Sequence, residues 1–306
     1  MKIAVVGCGK VGYSHAQWMR KRGHTVVGVD NDHEVLTKLE VQQGLEAVST
    51  LDEAPRDLDA IHICVPTELN SDRQCDLSII ESVIFQIRAV SWKTVPVVVQ
   101  RSTCPVGTGD RLAKLVDPLP YVVNPSFLRK ATIKEDNNEP ERVAIGGPEN
   151  GRDHLLALYS SLDSPLFLTE SRRTTELLKY VENSLDSLLL SFWNEIMMYA
   201  LANEINPDDL VYLIERVQDR PKFRTVSRAP GRPFGLWCLP KDLIALISDM
   251  KQKGSMSSTL EGVMATNEAM GQIGDSTTPA RNLYEFHKDR LRLLPDAINS
   301  LHHLFE

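Results

Sequence analysis

One segment near the N-terminus decides the fold class, KIAVVGCGKVG at residues 2–12. An apolar run of β character leads into a GxGxxG motif, and a helical stretch follows from Val11 to Arg22. In that context Gly7 permits a tight turn, Gly9 lets the backbone approach a pyrophosphate, and Gly12 allows close helix–strand packing. The helix N-terminus would offer N–H groups to the phosphates. The segment therefore predicts a strand, a phosphate-binding turn and a helix.

A carboxylate follows the next strand-like run. His24 to Val29 is mostly β-branched, and Asp30 comes 18 residues after Gly12. A carboxylate there can accept hydrogen bonds from the adenosine ribose hydroxyls and would repel a 2′-phosphate. We therefore expect the cofactor to be NAD rather than NADP.

The two halves of the chain differ in pattern. Further β-rich runs at Ala60–Val65 and Val95–Gln100, separated by helical stretches, predict βαβ units in a parallel sheet. Thr174 to Asn203 contains no Gly or Pro and has apolar residues at helical spacing, so it predicts one long helix. We expect an α/β Rossmann-type parallel-sheet domain at residues 1–150. A mostly α-helical substrate and dimerisation domain with this long central helix is expected at 151–306.

Composition excludes several classes of function. A net charge of −7 argues against a nucleic-acid partner, because phosphate binding needs clustered Lys and Arg. No apolar run approaches the ~20 residues that span a bilayer, and no signal peptide precedes the first strand, so we expect a cytoplasmic protein without a membrane partner. The five cysteines form no CxxC pair, so we expect neither disulfides nor a metal site.

Cys238 stands apart from the other cysteines. It follows a stretch rich in Pro, Gly and aromatic residues, at a predicted loop-to-helix junction beside Lys241. A helix N-terminus and a nearby cation both favour the thiolate, which is the reactive form. This pattern alone leaves a structural and a catalytic role open.

Six motifs occur in an order and spacing that resemble the UDP-glucose/GDP-mannose 6-dehydrogenase family, over roughly residues 1 to 270. They are the glycine motif, CVPT at 64–67, STCPVGT at 102–108, NPSFLR at 124–129, ELLK at 176–179 with Asn183, and CLPKD at 238–242. Asn267 matches a further family asparagine.

The resemblance implies an NAD-dependent oxidation of a primary alcohol to a carboxylate through an aldehyde. Cys238 would form a thiohemiacetal and then a thioester, which is covalent catalysis. Lys179 and Asn183 would stabilise oxyanions from one helix face. Asp242 would assist proton movement, and Thr103 would lie near the nicotinamide.

The motifs also predict the binding residues. The cofactor-binding positions follow the first, second and later strands: Gly7, Gly9, Lys10, Val11, Gly12, Asp30, Val65, Pro66, Thr67, Ser102 and Thr103. The substrate-binding positions are Phe127, Leu128, Lys179, Asn183 and Gly235. The family dimerises through the long helix, so the resemblance implies a homodimer.

Three departures from the family pattern bear on the chemistry. Ser126 and Lys130 stand where the family has glutamates, and a serine is no base without its own activator. Leu236 and Trp237 replace small residues beside Cys238. The chain ends at Glu306, and we expect a shortened form without the family's C-terminal nucleotide-sugar-binding domain. The substrate is therefore expected to be a nucleotide sugar or a smaller polar alcohol or aldehyde, with oxidation to the aldehyde or to the acid left open.

Two alternatives remain at this point. A β-hydroxyacid-type dehydrogenase shares a Rossmann domain, an all-α second domain and a helix lysine and asparagine, but needs no cysteine. A catalytically impaired NAD-binding homologue would explain the missing glutamates, although retention of Cys238, Lys179, Asn183 and Asp242 opposes it.

Overall fold

The computed structural model describes residues 1–42, 44–127, 140, 142–206, 208–212, 233–234 and 238–273. Its contacts divide the chain into two compact units, Met1–Lys179 and Tyr180–Glu306. The boundary expected at residue 150 falls inside the first unit, and that division stays a prediction.

The first unit is built on one eight-stranded sheet. Its strands are β1 (Lys2–Val6), β2 (Thr25–Val29), β3 (Ala47–Val48), β4 (Ala60–Ile63), β5 (Val97–Gln100), β6 (Tyr121–Val123), β7 (Val143–Gly146) and β8 (Leu166–Thr169). Their order is β3-β2-β1-β4-β5-β6-β7-β8. Every neighbouring pair is parallel except β6 and β7. The strand order reverses direction at β1, so the carboxyl ends of β1 and β4 flank the crevice where such sheets bind ligands.

Helices cover both faces of this sheet. They are α1 (Lys10–Lys21), α2 (His33–Thr37, continued by a π-helical turn, Lys38–Gln42), α3 (Ser78–Ala89), α4 (Thr108–Leu115) and α5 (Glu149–Tyr159). In β1, Ala4 and Val6 pack in one core with residues of α3 and α4, whereas Ile3 and Val5 pack in a second core with residues of α1 and α5. Burial on both faces explains the nearly continuous Val and Ile of these strands and confirms the Rossmann-type fold.

Three longer helices follow, α6 (Arg172–Ala202), α7 (Cys238–Gln252) and α8 (Ser258–Ile273), and residues 208–212 are also helical. The long helix expected at 174–203 is thus confirmed as α6, with 31 residues. Helix α7 begins at Cys238, and it tolerates Pro240 because the N–H that proline lacks is not needed in a first turn. Among the helices that the structure describes, none is long and apolar enough to cross a membrane.

Helix α6 has an unusual distribution of side chains. Its buried positions include the polar residues Lys179, Asn183, Ser184, Ser187, Ser191 and Asn194. Its exposed positions are apolar and repeat every three or four residues, at Leu177, Val181, Leu185, Leu188 and Phe192. We call these five residues the outer stripe. The helix therefore buries much of its polar side and exposes apolar side chains, the reverse of an ordinary surface helix.

Candidate active site

The turn after β1 has the backbone geometry that a dinucleotide needs. Gly7 has a φ of 84°, and a Cβ there would lie 2.9 Å from the backbone of Cys64 and Val65. A Cβ on Gly12 would lie 1.9 Å from the carbonyl oxygen of Gly7. A Cβ on Gly9, the N-cap of α1, would meet no protein atom within 4 Å. The protein's own packing therefore does not require glycine at position 9, whereas the close approach of a pyrophosphate would.

Asp30 holds the glycine turn from the end of β2. One carboxylate oxygen accepts the N–H of Cys8 at 2.7 Å, and the other accepts the N–H of Asp32 at 3.0 Å. The Cys8 thiol is buried and donates to the carbonyl of Val5 at 3.3 Å. Burial, aided by the charge of Asp30, raises the pKa of Cys8 to about 12, so this cysteine is a neutral core residue.

The loops that follow β4 and β5 are tied to each other by hydroxyl groups. Ser102 Oγ donates to the carbonyl of Val65 at 2.6 Å, and Thr67 Oγ1 donates to the carbonyl of Thr103 at 2.7 Å. Pro66 is exposed between these ties. The structure thus brings the expected cofactor-binding residues of both loops together at the carboxyl ends of two adjacent parallel strands.

Glu176 fixes the end of the loop that joins β5 to α4, a role that the sequence did not reveal. Its carboxylate accepts the N–H groups of Gly107 and Gly109, each at 2.7 Å, at the start of α4. Burial raises the pKa of Glu176, while these hydrogen bonds act in the opposite direction. The available signal was its place in the ELLK motif, one turn before Lys179.

Lys179 is buried rather than exposed at the helix surface. Its side chain is 8% exposed, and its Nζ lies 5.3 Å from the ring centroid of Phe127. That distance is typical of a cation–π contact. Two of the residues expected to bind substrate, Lys179 and Phe127, are therefore neighbours.

A buried polar cluster lies in the second unit. The amide nitrogen of Asn183 donates to Asp242 Oδ2 at 2.5 Å, and Lys241 Nζ pairs with Asp242 Oδ1 at 2.5 Å. Asp242 is 2% exposed and lies four residues after Cys238, the first residue of α7. The charge of Lys241, which we expected to favour the thiolate of Cys238, is thus paired with Asp242.

Asn267 holds the chain just before Cys238. Its side-chain oxygen accepts the N–H of Phe234 at 2.6 Å, and its side-chain nitrogen donates to the carbonyl of Phe234 at 3.0 Å. The sequence offered only a match to a family asparagine here. The two hydrogen bonds fix the backbone four residues before the candidate nucleophile.

Several expected site residues lie outside the described part of the chain. These are Leu128, Lys130, Gly235, Leu236 and Trp237, together with the side chain of Cys238. Ser126 is described, and its Oγ accepts a hydrogen bond from Nη2 of Arg101 at 2.7 Å. Across the described ranges, no group of three or more His, Cys, Asp or Glu residues could hold a metal ion.

Comparison with known families bears on both units. The NAD binding domain of the UDP-glucose/GDP-mannose dehydrogenase family matches residues 33–163, and the central domain of the same family matches residues 173–269. A UDP-glucose 6-dehydrogenase of Rhizobium meliloti is 30% identical, over 89% of this chain and 69% of its own. The chain belongs to the UDP-glucose/GDP-mannose dehydrogenase family.

Other members of the family match the chain with similar identity and coverage. A GDP-mannose 6-dehydrogenase of Pseudomonas putida is 30% identical over 89% of this chain and 69% of its own length. Among solved structures, a UDP-glucose dehydrogenase from the archaeon Pyrobaculum islandicum superposes with a TM-score of 0.80 at 28% identity. The superposition covers 89% of this chain and 69% of that one.

Family membership confirms three of the expectations. The fold is Rossmann-type with a following helical region, the cofactor is NAD, and the protein is an oxidoreductase that acts on CH–OH groups. The glycine turn and Asp30 fit NAD, since the turn leaves room at Gly9 and a carboxylate ends β2. The individual catalytic roles stay predictions.

Proposed function

We propose that this dehydrogenase oxidises the primary alcohol of a nucleotide sugar to a carboxylate, with Cys238 as covalent nucleophile. The observation that carries the proposal is the buried Asn183–Asp242–Lys241 cluster, built onto the first two turns of the helix that Cys238 opens. The names of the relatives, UDP-glucose and GDP-mannose 6-dehydrogenases, support the substrate class.

The chemistry proceeds in two oxidations. NAD supplies a hydride acceptor for each of them. The alcohol carbon first loses a hydride and its hydroxyl group loses a proton, which gives an aldehyde; the Cys238 thiolate adds to this aldehyde and the oxygen takes up a proton. The resulting thiohemiacetal loses a second hydride and a proton to give a thioester. Water then releases the carboxylate and regenerates the thiol.

The buried polar residues have distinct tasks in this scheme. Lys179, held against Phe127, would supply positive charge to the oxyanion that forms at each stage. Asp242 accepts hydrogen bonds from both Asn183 and Lys241, so in the absence of substrate it fixes the orientation of the Asn183 amide. Proton movement through Asp242 would require one of these two bonds to open.

Ser126 makes hydrolysis of the thioester the slow step of the proposed cycle. A hydroxyl that already accepts a hydrogen bond from a guanidinium is a poor proton acceptor, and Arg101 donates to Ser126 Oγ. We therefore expect a rapid burst of NADH, followed by slow turnover limited by the release of the acid.

The test is NADH production and product analysis with UDP-glucose, GDP-mannose and a panel of small primary alcohols. Cys238→Ser should abolish the second oxidation, with a loss of ~10³-fold or more in acid formation. Cys75→Ser, which changes a half-buried thiol in the first unit, is the matched control and should leave the burst unchanged.

Two results would contradict the proposal. Undiminished acid formation in the Cys238→Ser variant would favour a mechanism without covalent catalysis. Tight NAD binding with no NADH from any substrate would favour a binding homologue.

We further propose that the active form is a homodimer joined through the outer stripe of α6. The support is the exposure of five apolar side chains, two of them Val181 at 50% and Phe192 at 47%. A contiguous apolar surface of this kind on a soluble enzyme commonly marks a protein–protein contact. The expected cytoplasmic location stays a prediction.

A further inference from the structure

Arg101 is a buried cation whose hydrogen bonds are incomplete. It directly follows β5 and is 7% exposed. Nη1 donates to Asn124 Oδ1 at 2.5 Å and to the hydroxyl of Tyr159 at 2.9 Å, while Nη2 donates to Ser126 Oγ at 2.7 Å. These bonds use three of the five N–H donors of a guanidinium. Its Nε is buried and has no hydrogen-bond partner among the residues that the structure describes.

The groups around Arg101 do not neutralise its charge. Asn124, Ser126 and Tyr159 are uncharged, and no ion pair joins Arg101 to any carboxylate of the described chain. Burial raises the pKa of the nearby Cys64 thiol to about 11, although the charge of Arg101 and a hydrogen bond from it act in the opposite direction, so this thiol supplies no counter-charge. A buried charge without a counter-charge is costly, so the site favours a negative group.

The two histidines on the same side of the sheet remain neutral as well. His15 Nε2 and His62 Nδ1 lie 3.0 Å apart. Burial first, and then the charge of Arg101, hold the pKa of each ring well below its usual value. Neither ring adds a competing positive charge, and neither compensates the guanidinium.

A small cavity adjoins this cation. Its volume is about 30 Å³, and its lining includes Arg101, Ser126, Phe127, Arg142, His15 and Trp18. A water needs roughly 10–15 Å³ on this measure, so the space suits a group of two or three heavy atoms.

The unused donors of Arg101 match a particular shape of anion. Nε and Nη2 lie on one edge of the planar guanidinium, and this edge binds the two oxygens of a carboxylate with parallel hydrogen bonds. Ser126 Oγ accepts from Arg101 and keeps its own proton to donate.

We propose that the Arg101–Ser126 cavity is a binding site for a small monovalent oxyanion of the carboxylate type, such as formate. The anion supplies the negative charge that Arg101 does not receive from the described side chains around it. The cavity shares Ser126 and Phe127 with the residues that the proposed function assigns to hydrolysis and substrate binding, but the test of anion binding does not depend on catalysis.

The test is thermal unfolding of the intact protein in sodium formate, with ionic strength held constant by sodium gluconate, whose anion is too large for the cavity. Binding to the folded state alone should raise Tm by about 2–4 °C at formate concentrations up to about 100 mM. Line broadening of ¹³C-formate in NMR spectra provides a second, direct readout.

Two variants and a control locate the effect. Ser126→Glu brings a tethered carboxylate to Arg101, so it should raise Tm without formate and abolish the formate response. Arg101→Met should abolish the response where it folds. Arg88→Met, which removes an exposed arginine of α3, should respond like the parent protein. The proposal is overturned if formate changes neither Tm nor the NMR line width, or if Ser126→Glu responds as the parent does.

Discussion

The glycine turn and helix α6 differ in how directly sequence determines structure. In the turn, Gly7 and Gly12 are demanded by backbone atoms of the chain itself, less than 3 Å from any added Cβ. In α6, the apolar periodicity correctly indicates a helix, but the stripe at Val181, Leu185 and Leu188 lies outside while polar side chains lie inside. In the turn, the backbone distances allow only glycine. In the helix, an apolar face indicates that another surface packs against it but does not identify that surface.

The sharpest test of this difference is Gly12→Ala. The added methyl would overlap the carbonyl of Gly7 at 1.9 Å, and neither backbone can yield without breaking the turn. We expect a loss of about 3 kcal/mol in unfolding free energy, or failure to accumulate as soluble protein. Urea titration followed by fluorescence measures the loss.

Two other glycine substitutions are the controls for that experiment. Gly9→Ala meets no protein atom, so it should leave stability nearly unchanged and weaken NAD binding, measured by fluorescence of bound NADH. Gly262→Ala in α8 also meets nothing and should stabilise by about 0.5–1 kcal/mol through helix propensity. Equal losses in the free energy of unfolding for all three variants would show that the turn imposes no special steric constraint.

A charge placed in the outer stripe of α6 should weaken the proposed dimer. Leu185→Lys places an ammonium in the middle of the proposed dimer contact, and we expect the dimer dissociation constant to rise about 30-fold or more. Sedimentation equilibrium measures this change. Phe85→Lys, at an exposed position of α3, should leave assembly unaltered. A monomeric parent protein at micromolar concentration would refute the proposed contact.

The buried polar side of α6 should show the smallest effect. Ser191 Oγ donates to the carbonyl of Val263 at 3.2 Å, and Ser191→Ala leaves that buried acceptor without this donor. We expect a loss of about 1 kcal/mol in unfolding free energy by chemical denaturation. Ser160→Ala removes an exposed hydroxyl and should change stability by less than half as much. A larger loss at Ser160 would mean that burial of the bond does not matter.

Sequence predicted the elements of the fold because those depend on local rules. The strand–glycine–helix order, the long α6 and the NAD preference at Asp30 each follow from a short segment with one physical interpretation. The structure adds that Asp30 accepts from the backbone of Cys8, a pairing across 22 residues that no local pattern encodes.

The candidate site was only partly predictable, because several of its parts are contacts between distant segments. Glu176 reaches Gly107 and Gly109 across nearly seventy residues, and Asn267 holds Phe234 from another helix. That Arg101 forms no ion pair with a carboxylate of the described ranges follows from tertiary packing alone. A sequence shows which side chains exist, but not which of them lack a partner after folding.

Asp30 has a consequence for protein engineering. Exchanging NAD for NADP by design usually begins with the acid at the end of the second strand, since it opposes the extra phosphate. Here the same carboxylate also anchors Cys8 within the glycine turn. A redesign that simply replaces Asp30 would alter pyrophosphate recognition along with ribose recognition, so a successful exchange must provide a new acceptor for the Cys8 amide.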